Sequence, residues 1–253
     1  FYDPDDPDST ARSVAALEAH IARYPGRIAG MLFELVQGEG GFRTAPREFF
    51  VPLMERCQRE KIAVWVDEVQ TFARTGELFA FQTLALADHV DVVTAGKMLQ
   101  GSAVLFTRPY NPKPGLVAGT YAGSTVGLAV GARIIERLES EGYLGPEGRV
   151  AVLGGRAERR IEAMHRRMPR AVGARTGIGA MQSFVPFDGA PDVAAAVLQS
   201  AFAEGLMVFT AGSNPTKIRM LLPLNASDEE LETGFSILEK ALAQVAEERG
   251  LAC

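Results

Sequence analysis

The chain has 253 residues, 47% hydrophobic and 23% charged, enough apolar material for one large or two small globular domains. Its formal net charge of −5 excludes the basic footprint of a nucleic-acid binder or of a protein held on an anionic membrane. Two cysteines, Cys57 and Cys253, supply no disulfide framework, so a reducing cytoplasm is the simplest compartment.

No apolar run reaches the roughly eighteen residues of a membrane span, and the acidic opening FYDPDDPDST is unlike a signal peptide. Ser9 or Thr10 is placed to cap a helix over SVAALEAHIARY, whose apolar residues recur at helical spacing. Residues 27–35 read as a strand that delivers Glu34 near its end. Pro46 opens a helix over REFFVPLMERCQREK, in which Pro52 predicts a kink or a later start.

Residues 62–66 and 90–94 are short, β-branched and apolar, the pattern of strands covered on both faces in a parallel sheet. Ligands of such sheets sit beyond the carboxyl ends of the strands, where Asp67 and Lys97 stand, with Gly96 giving the backbone freedom beside the amine. The plain alternative is a strand-end acid that caps the next turn and a surface lysine. Residues 102–107 predict a further strand, and PYNPKPG a loop.

An amphipathic helix follows over VGLAVGARIIERLESEG, then a break at GYLGPEG and a second helix through AERRIEAMHRRM. The remainder predicts a small α/β domain: a strand at 179–185, a helix over 192–204, strands at 206–209 and 218–222, and a closing helix. Ser227 and Glu230 form its capping box. His20, His89 and His165 are scattered without ligand spacing to the cysteines, so no metal site is expected. Arg156, Arg159, Arg160, Arg166 and Arg167 are interleaved with Glu158 and Glu162, which predicts a solvated face of mixed charge.

VWVDEVQTFARTGELFAFQ followed by HVDVVTAGKMLQG resembles the core of the class III (ω-type) aminotransferases, pyridoxal-phosphate enzymes of fold type I. FELVQGEGG at 33–41, GTYAGST at 119–125 and KIRMLLPL at 217–224 agree with the family in the same order. The resemblance implies an α/β fold: part of a large cofactor domain with a mainly parallel sheet over 1–125, then a long connecting helix and a small C-terminal domain over 126–253. It implies pyridoxal 5'-phosphate as cofactor, Lys97 as Schiff-base residue and proton carrier, and Asp67 as partner of the pyridine nitrogen. Val69 would pack on the ring face and Gln70 would hydrogen-bond near the phenolic oxygen. Thr120 would serve the cofactor phosphate of the neighbouring subunit of a homodimer.

In similar enzymes the second acid of an ExxxxE pattern, here Glu34 and Glu39, faces an arginine that alternates between it and a substrate carboxylate. That arginine falls on Arg219. The implied reaction moves an amino group from an amine or amino acid to a 2-oxo acid. A mutase or decarboxylase on the same scaffold, or a non-catalytic fragment acting in subunit association, are the other readings.

Three departures touch no reacting group: Leu35 where a proline is usual, Phe72 and Ala73 in a shortened turn, and Ser124-Thr125 where Asn-Pro is usual. MLQGSAV after Lys97 is closer to the lysine ε- and 4-aminobutyrate aminotransferase branch, which tilts the donor toward a terminal amine. Relatives also carry a long N-terminal portion, including the phosphate-gripping loop and a ring-stacking aromatic, that has no replacement in these residues.

Overall fold

The computed structural model describes residues 2–117, 119–120 and 122–253, which fall into two compact units. The first takes the chain to Leu35, with Thr44–Ala73 and Glu77–Glu141; the second takes Val36–Arg43, Arg74–Gly76 and Gly142–Cys253.

In the first unit, strands β1 (Gly30–Phe33), β2 (Ala63–Glu68), β3 (Val92–Ala95) and β4 (Ala103–Phe106) form one sheet in that order. The first three are parallel; β4 runs antiparallel to β3, so the sheet is mixed. Helices α1 (Ser9–Arg23) and α2 (Arg47–Arg59) precede β1 and β2. Helix α2 buries Phe49, Phe50, Leu53, Met54 and Cys57 on one side, in a core shared with Phe33, Val64 and Val66. That burial carries Pro52 inside the helix, although a proline there gives up a backbone hydrogen bond.

Cover on both faces of this sheet is not what the fold provides. Leu32, Trp65 and Phe106 stand exposed, and by register they belong to one cross-strand row on the face opposite Phe33, Val64 and Val66. The next row along is Asp67, Thr94 and Val104. Continuous apolar strands thus hid an alternation, because their outward positions are also apolar. At the other end of the unit, Ser9 starts α1 without capping it. Its hydroxyl accepts the Asp3 N–H at 2.8 Å, and Asp8 takes the cap position.

Helix α3 (Ala80–Thr83) interrupts the connection between β2 and β3, and α4 (Thr125–Ser140) closes the first unit. The division therefore falls after α4, one helix later than residue 125, because α4 packs against the turn that follows β3.

The second unit contains α5 (Arg149–Arg167), β5 (Val172–Ile178), β6 (Met181–Pro186), α6 (Pro191–Ala203), β7 (Phe209–Ala211), β8 (Lys217–Leu221) and α7 (Asp228–Arg249). Its sheet is antiparallel throughout, in the order β5-β6-β8-β7, and β6 is buried at all six positions. Strand β5, VGARTGI, escaped the sequence reading because two glycines dilute its β-propensity. Strand β7 begins at Phe209, later than expected, because Leu206 donates its N–H to the Ala201 carbonyl and finishes α6. The capping box of α7 is formed: the Ser227 hydroxyl accepts the Glu230 N–H at 3.1 Å, and the Glu230 carboxylate accepts the Ser227 N–H at 2.7 Å. The expected solvated face of mixed charge holds for Arg159, Arg166 and Arg167 of α5, which are exposed, while Arg156 and Arg160 are half-buried. Arg156, Arg160 and Arg167 pair with Asp228, Glu232 and Glu239 of α7.

Candidate active site

In the first unit, parallel pairing sets Asp67 opposite Thr94 and Glu68 opposite Ala95. Lys97 follows two residues later, so the acid and the amine stand at the carboxyl ends of neighbouring parallel strands. Asp67 is half-buried and Lys97 exposed. One Asp67 carboxylate oxygen, Oδ1, accepts the Val69 N–H at 2.9 Å, which fixes the carboxylate's direction. The Val69 side chain lies against Gly96, with Cγ1 3.4 Å from where a Cβ there would stand. Gln70, next along, is buried.

Lys97 adopts a left-handed backbone, φ +48°, at the start of the 3-10 turn Lys97–Leu99. For a residue with a Cβ that conformation costs on the order of 1 kcal/mol, and it persists where the surroundings enforce it. Helix α4 supplies the enforcement. A Cβ on Gly131 would lie 2.9 Å from the Leu99 carbonyl oxygen, and one on Gly127 3.3 Å from that of Gln100. Two glycines four apart, on one helix face, let α4 seat directly on the lysine turn. The signal, GLAVG, was present in the sequence but read only as helix.

Thr120 is exposed, in a turn closed by the Ala122 N–H to the Gly119 carbonyl at 3.0 Å. Tyr121, from the same GTYAGST segment, lies outside the described residues.

Glu68 was missed by sequence reasoning. Its carboxylate is fully buried and accepts the Thr71 hydroxyl and the N–H groups of Ala80 and Phe81, both at 3.0 Å. Burial raises its pKa, while these donors pull the other way. It ties the loop after β2 back to the strand end that presents Asp67.

In the second unit, Arg219 pairs with Glu39 through Nη1 and Oε1 at 2.6 Å. The side chains are unequally covered: Arg219 keeps 14% of its exposure and Glu39 77%. The buried Nε of Arg219 has no acceptor among the described residues. A pair with one partner largely in water contributes about 1 kcal/mol or less, so another carboxylate can compete for the guanidinium. Glu34, the first acid of the pattern, is exposed just past β1 in the first unit.

Two residues before Arg219, Lys217 is buried, its ammonium donating to the Gly41 carbonyl at 3.2 Å and the Thr176 hydroxyl at 2.8 Å. Burial, with the nearby charge of Arg43, lowers its pKa to about 8. Its position in KIRMLLPL gave no sign of this.

The class-III aminotransferase family model matches residues 2–242, and the chain belongs to that family. A 5-aminovalerate aminotransferase of Pseudomonas putida is 33% identical over 234 residues, 88% of this chain and 54% of that protein. A mitochondrial acetylornithine aminotransferase of Candida glabrata is 33% identical over 225 residues, 86% of this chain and 51% of that protein. Among solved structures, a lysine aminotransferase of M. tuberculosis superposes with a TM-score of 0.87 at 26% identity, over 97% of this chain and 57% of that one. The architecture is that of fold-type I transaminases. The chain spans about half the length of the curated relatives it matches.

Proposed function

We propose that the protein of which these residues form part transfers an amino group from the terminal amine of an ω-amino acid to a 2-oxo acid, with pyridoxal phosphate as cofactor. The observation that carries this reading is the pairing of β2 with β3, which stations a strained, accessible Lys97 beside an oriented Asp67 in a class-III aminotransferase chain. The residues suit the cofactor: a primary amine, a carboxylate held by the Val69 N–H, and the apolar Val69 side chain beside Gly96. When bound, pyridoxal phosphate supplies an electron sink for the substrate carbon.

Lys97 Nζ would anchor the cofactor and would carry the proton to and from the substrate carbon. The Asp67 carboxylate would hold a proton on the ring nitrogen, and Gln70 would hydrogen-bond the phenolic side. Thr120 offers its hydroxyl to the phosphate bound by the neighbouring subunit of a homodimer. Arg219 exchanges Glu39 for a substrate carboxylate, which its acceptor-free Nε and weakly held Glu39 favour. A terminal amine as donor is supported by the 5-aminovalerate aminotransferase and lysine aminotransferase among the relatives. A cytoplasmic location accords with free Cys57 and Cys253.

Transfer requires both partners. With pyridoxal phosphate and 5-aminovalerate or 4-aminobutyrate, we expect turnover only when a 2-oxo acid such as 2-oxoglutarate is added, with one new amino acid formed per amine consumed. Consumption of the amine without a 2-oxo acid would point to a mutase or decarboxylase and overturn the reading.

A further inference from the structure

We propose that Lys217, with Thr176 and Ser183, is a positioning clasp that fixes the base of the Val36–Arg43 loop so that only its tip moves when Arg219 exchanges Glu39 for a substrate carboxylate. The proposal rests on the role of Arg219 given above.

The Gly41 carbonyl is the point held. It accepts Lys217 Nζ at 3.2 Å, the Thr176 hydroxyl at 2.7 Å and the Ser183 hydroxyl at 3.0 Å. Lys217 Nζ also donates to Thr176 Oγ1 at 2.8 Å, and the Ser183 hydroxyl, 2.8 Å from Thr176 Oγ1, divides its single proton between that oxygen and the Gly41 carbonyl. Gly41 itself has φ +81°, and a Cβ there would stand 2.7 Å from Lys217 Cδ, so both the backbone and the lysine stem require glycine.

The next residue seals the base. Phe42 is fully buried against Val36 and Met181, and its N–H donates to the Gln37 carbonyl at 2.8 Å, while the Gln37 N–H donates to the Arg43 carbonyl at 2.9 Å. The tip engages the exposed side of the device: Glu39 pairs with Arg219, whose Nη1 also donates to the Gly38 carbonyl at 3.4 Å, and the Gly212 N–H donates to the Glu39 carbonyl at 2.8 Å. Register puts the whole device on one sheet face. Ser183 is opposite both Thr176 and Arg219, and Lys217 and Arg219, two apart on β8, point the same way. One strand therefore supplies both the anchor of the loop and the group its tip engages. Among the described residues the lysine's acceptors are neutral, with Arg43 the neighbouring charge that acts on it. A buried cation so placed costs stability, and positioning the loop is what it returns.

The test uses Lys217→Met and Thr176→Val, with Lys217→Arg as the conservative variant and Arg219→Ala as control. Amide hydrogen exchange over 36–43 reads the clasp without any turnover. We expect Lys217→Met to speed exchange in that loop about tenfold or more while the rest of the second unit keeps its protection, with Thr176→Val smaller and Lys217→Arg in part restored. In turnover, we expect KM for the carboxylate substrate to rise about five- to tenfold with kcat within about twofold of the parent.

Unchanged exchange in both Lys217→Met and Thr176→Val overturns the clasp. A loosened loop with unchanged KM overturns its role in substrate recognition. If Arg219→Ala also leaves KM unaltered, the assignment of Arg219 fails separately, and a loop loosened by Lys217→Met is then a purely structural attachment.

Discussion

Each unit anchors one of its own loops on a buried charged side chain, and the two anchors have opposite sign. In the first, the Glu68 carboxylate gathers Thr71, Ala80 and Phe81 and fixes the loop beside Asp67. In the second, the Lys217 ammonium takes Gly41 and Thr176 and fixes the loop that carries Glu39. Both are held by neutral groups, and burial shifts both toward their uncharged forms. The sheets beneath them differ more. Strand β6 is buried throughout, whereas the first sheet leaves Leu32, Trp65 and Phe106 exposed on the face that also bears Asp67. Packing completes the second unit's sheet within this chain; the first unit's sheet has a finished face and an open one.

The largest expected effect separates those two sheets. Phe42→Ala, in the fully buried patch over Met181, should cost about 3–5 kcal/mol in the denaturant-induced unfolding of the second unit. Trp65→Ser, on the open face, should cost about 1 kcal/mol or less. Trp65 is the sole tryptophan, so its fluorescence reports on that face alone. It should emit at long wavelength and be readily quenched by acrylamide; blue-shifted, protected emission would contradict the difference between the sheets.

Gly131→Ala comes next. In an ordinary helix interior the change stabilises by up to about 1 kcal/mol. Here the added Cβ meets the Leu99 carbonyl, so the sign should reverse, with a loss on the order of 1 kcal/mol and slower reaction of Lys97 with aldehydes. A melting temperature that rises would show that α4 does not hold the lysine turn.

The buried anchors give the smallest effects, opposite in direction. Glu68 has a raised native pKa, so the unfolded chain loses its proton first. Its contribution to stability falls as pH climbs from the ordinary carboxylate range toward the native value, and Glu68→Gln should remove that slope. Lys217 has a native pKa of about 8, so the unfolded chain holds the proton longer. Stability should rise as pH climbs from about 8 toward the free-lysine value of about 10.4, and Lys217→Met should abolish that rise. Parallel pH profiles for parent and variants would refute both anchors.

What the sequence displayed was chemistry carried by local pattern. Two apolar runs ending in Asp67 and Lys97 announced parallel strands with an acid and an amine at their carboxyl ends, and Ser227 with Glu230 announced the start of α7. Features that depend on distant partners were silent. Glu68 reads as one more strand-end acid until Ala80 and Phe81 fold back over it, and Lys217 as a polar lead-in to Arg219 until Gly41 arrives from a loop far away in sequence. The open face of the first sheet was masked for another reason. Leu32, Trp65 and Phe106 are as apolar as the buried residues between them, so periodicity carried no trace of exposure.

The most direct test of Lys97 as the amine of a pyridoxal-phosphate site is to incubate the protein with pyridoxal phosphate, reduce it with borohydride and map the modified lysine by mass spectrometry, with Lys97→Ala alongside. A single adduct on Lys97, lost in the variant while the fold is retained, is the predicted result. Adducts scattered over surface lysines, or persisting undiminished in Lys97→Ala, would contradict it.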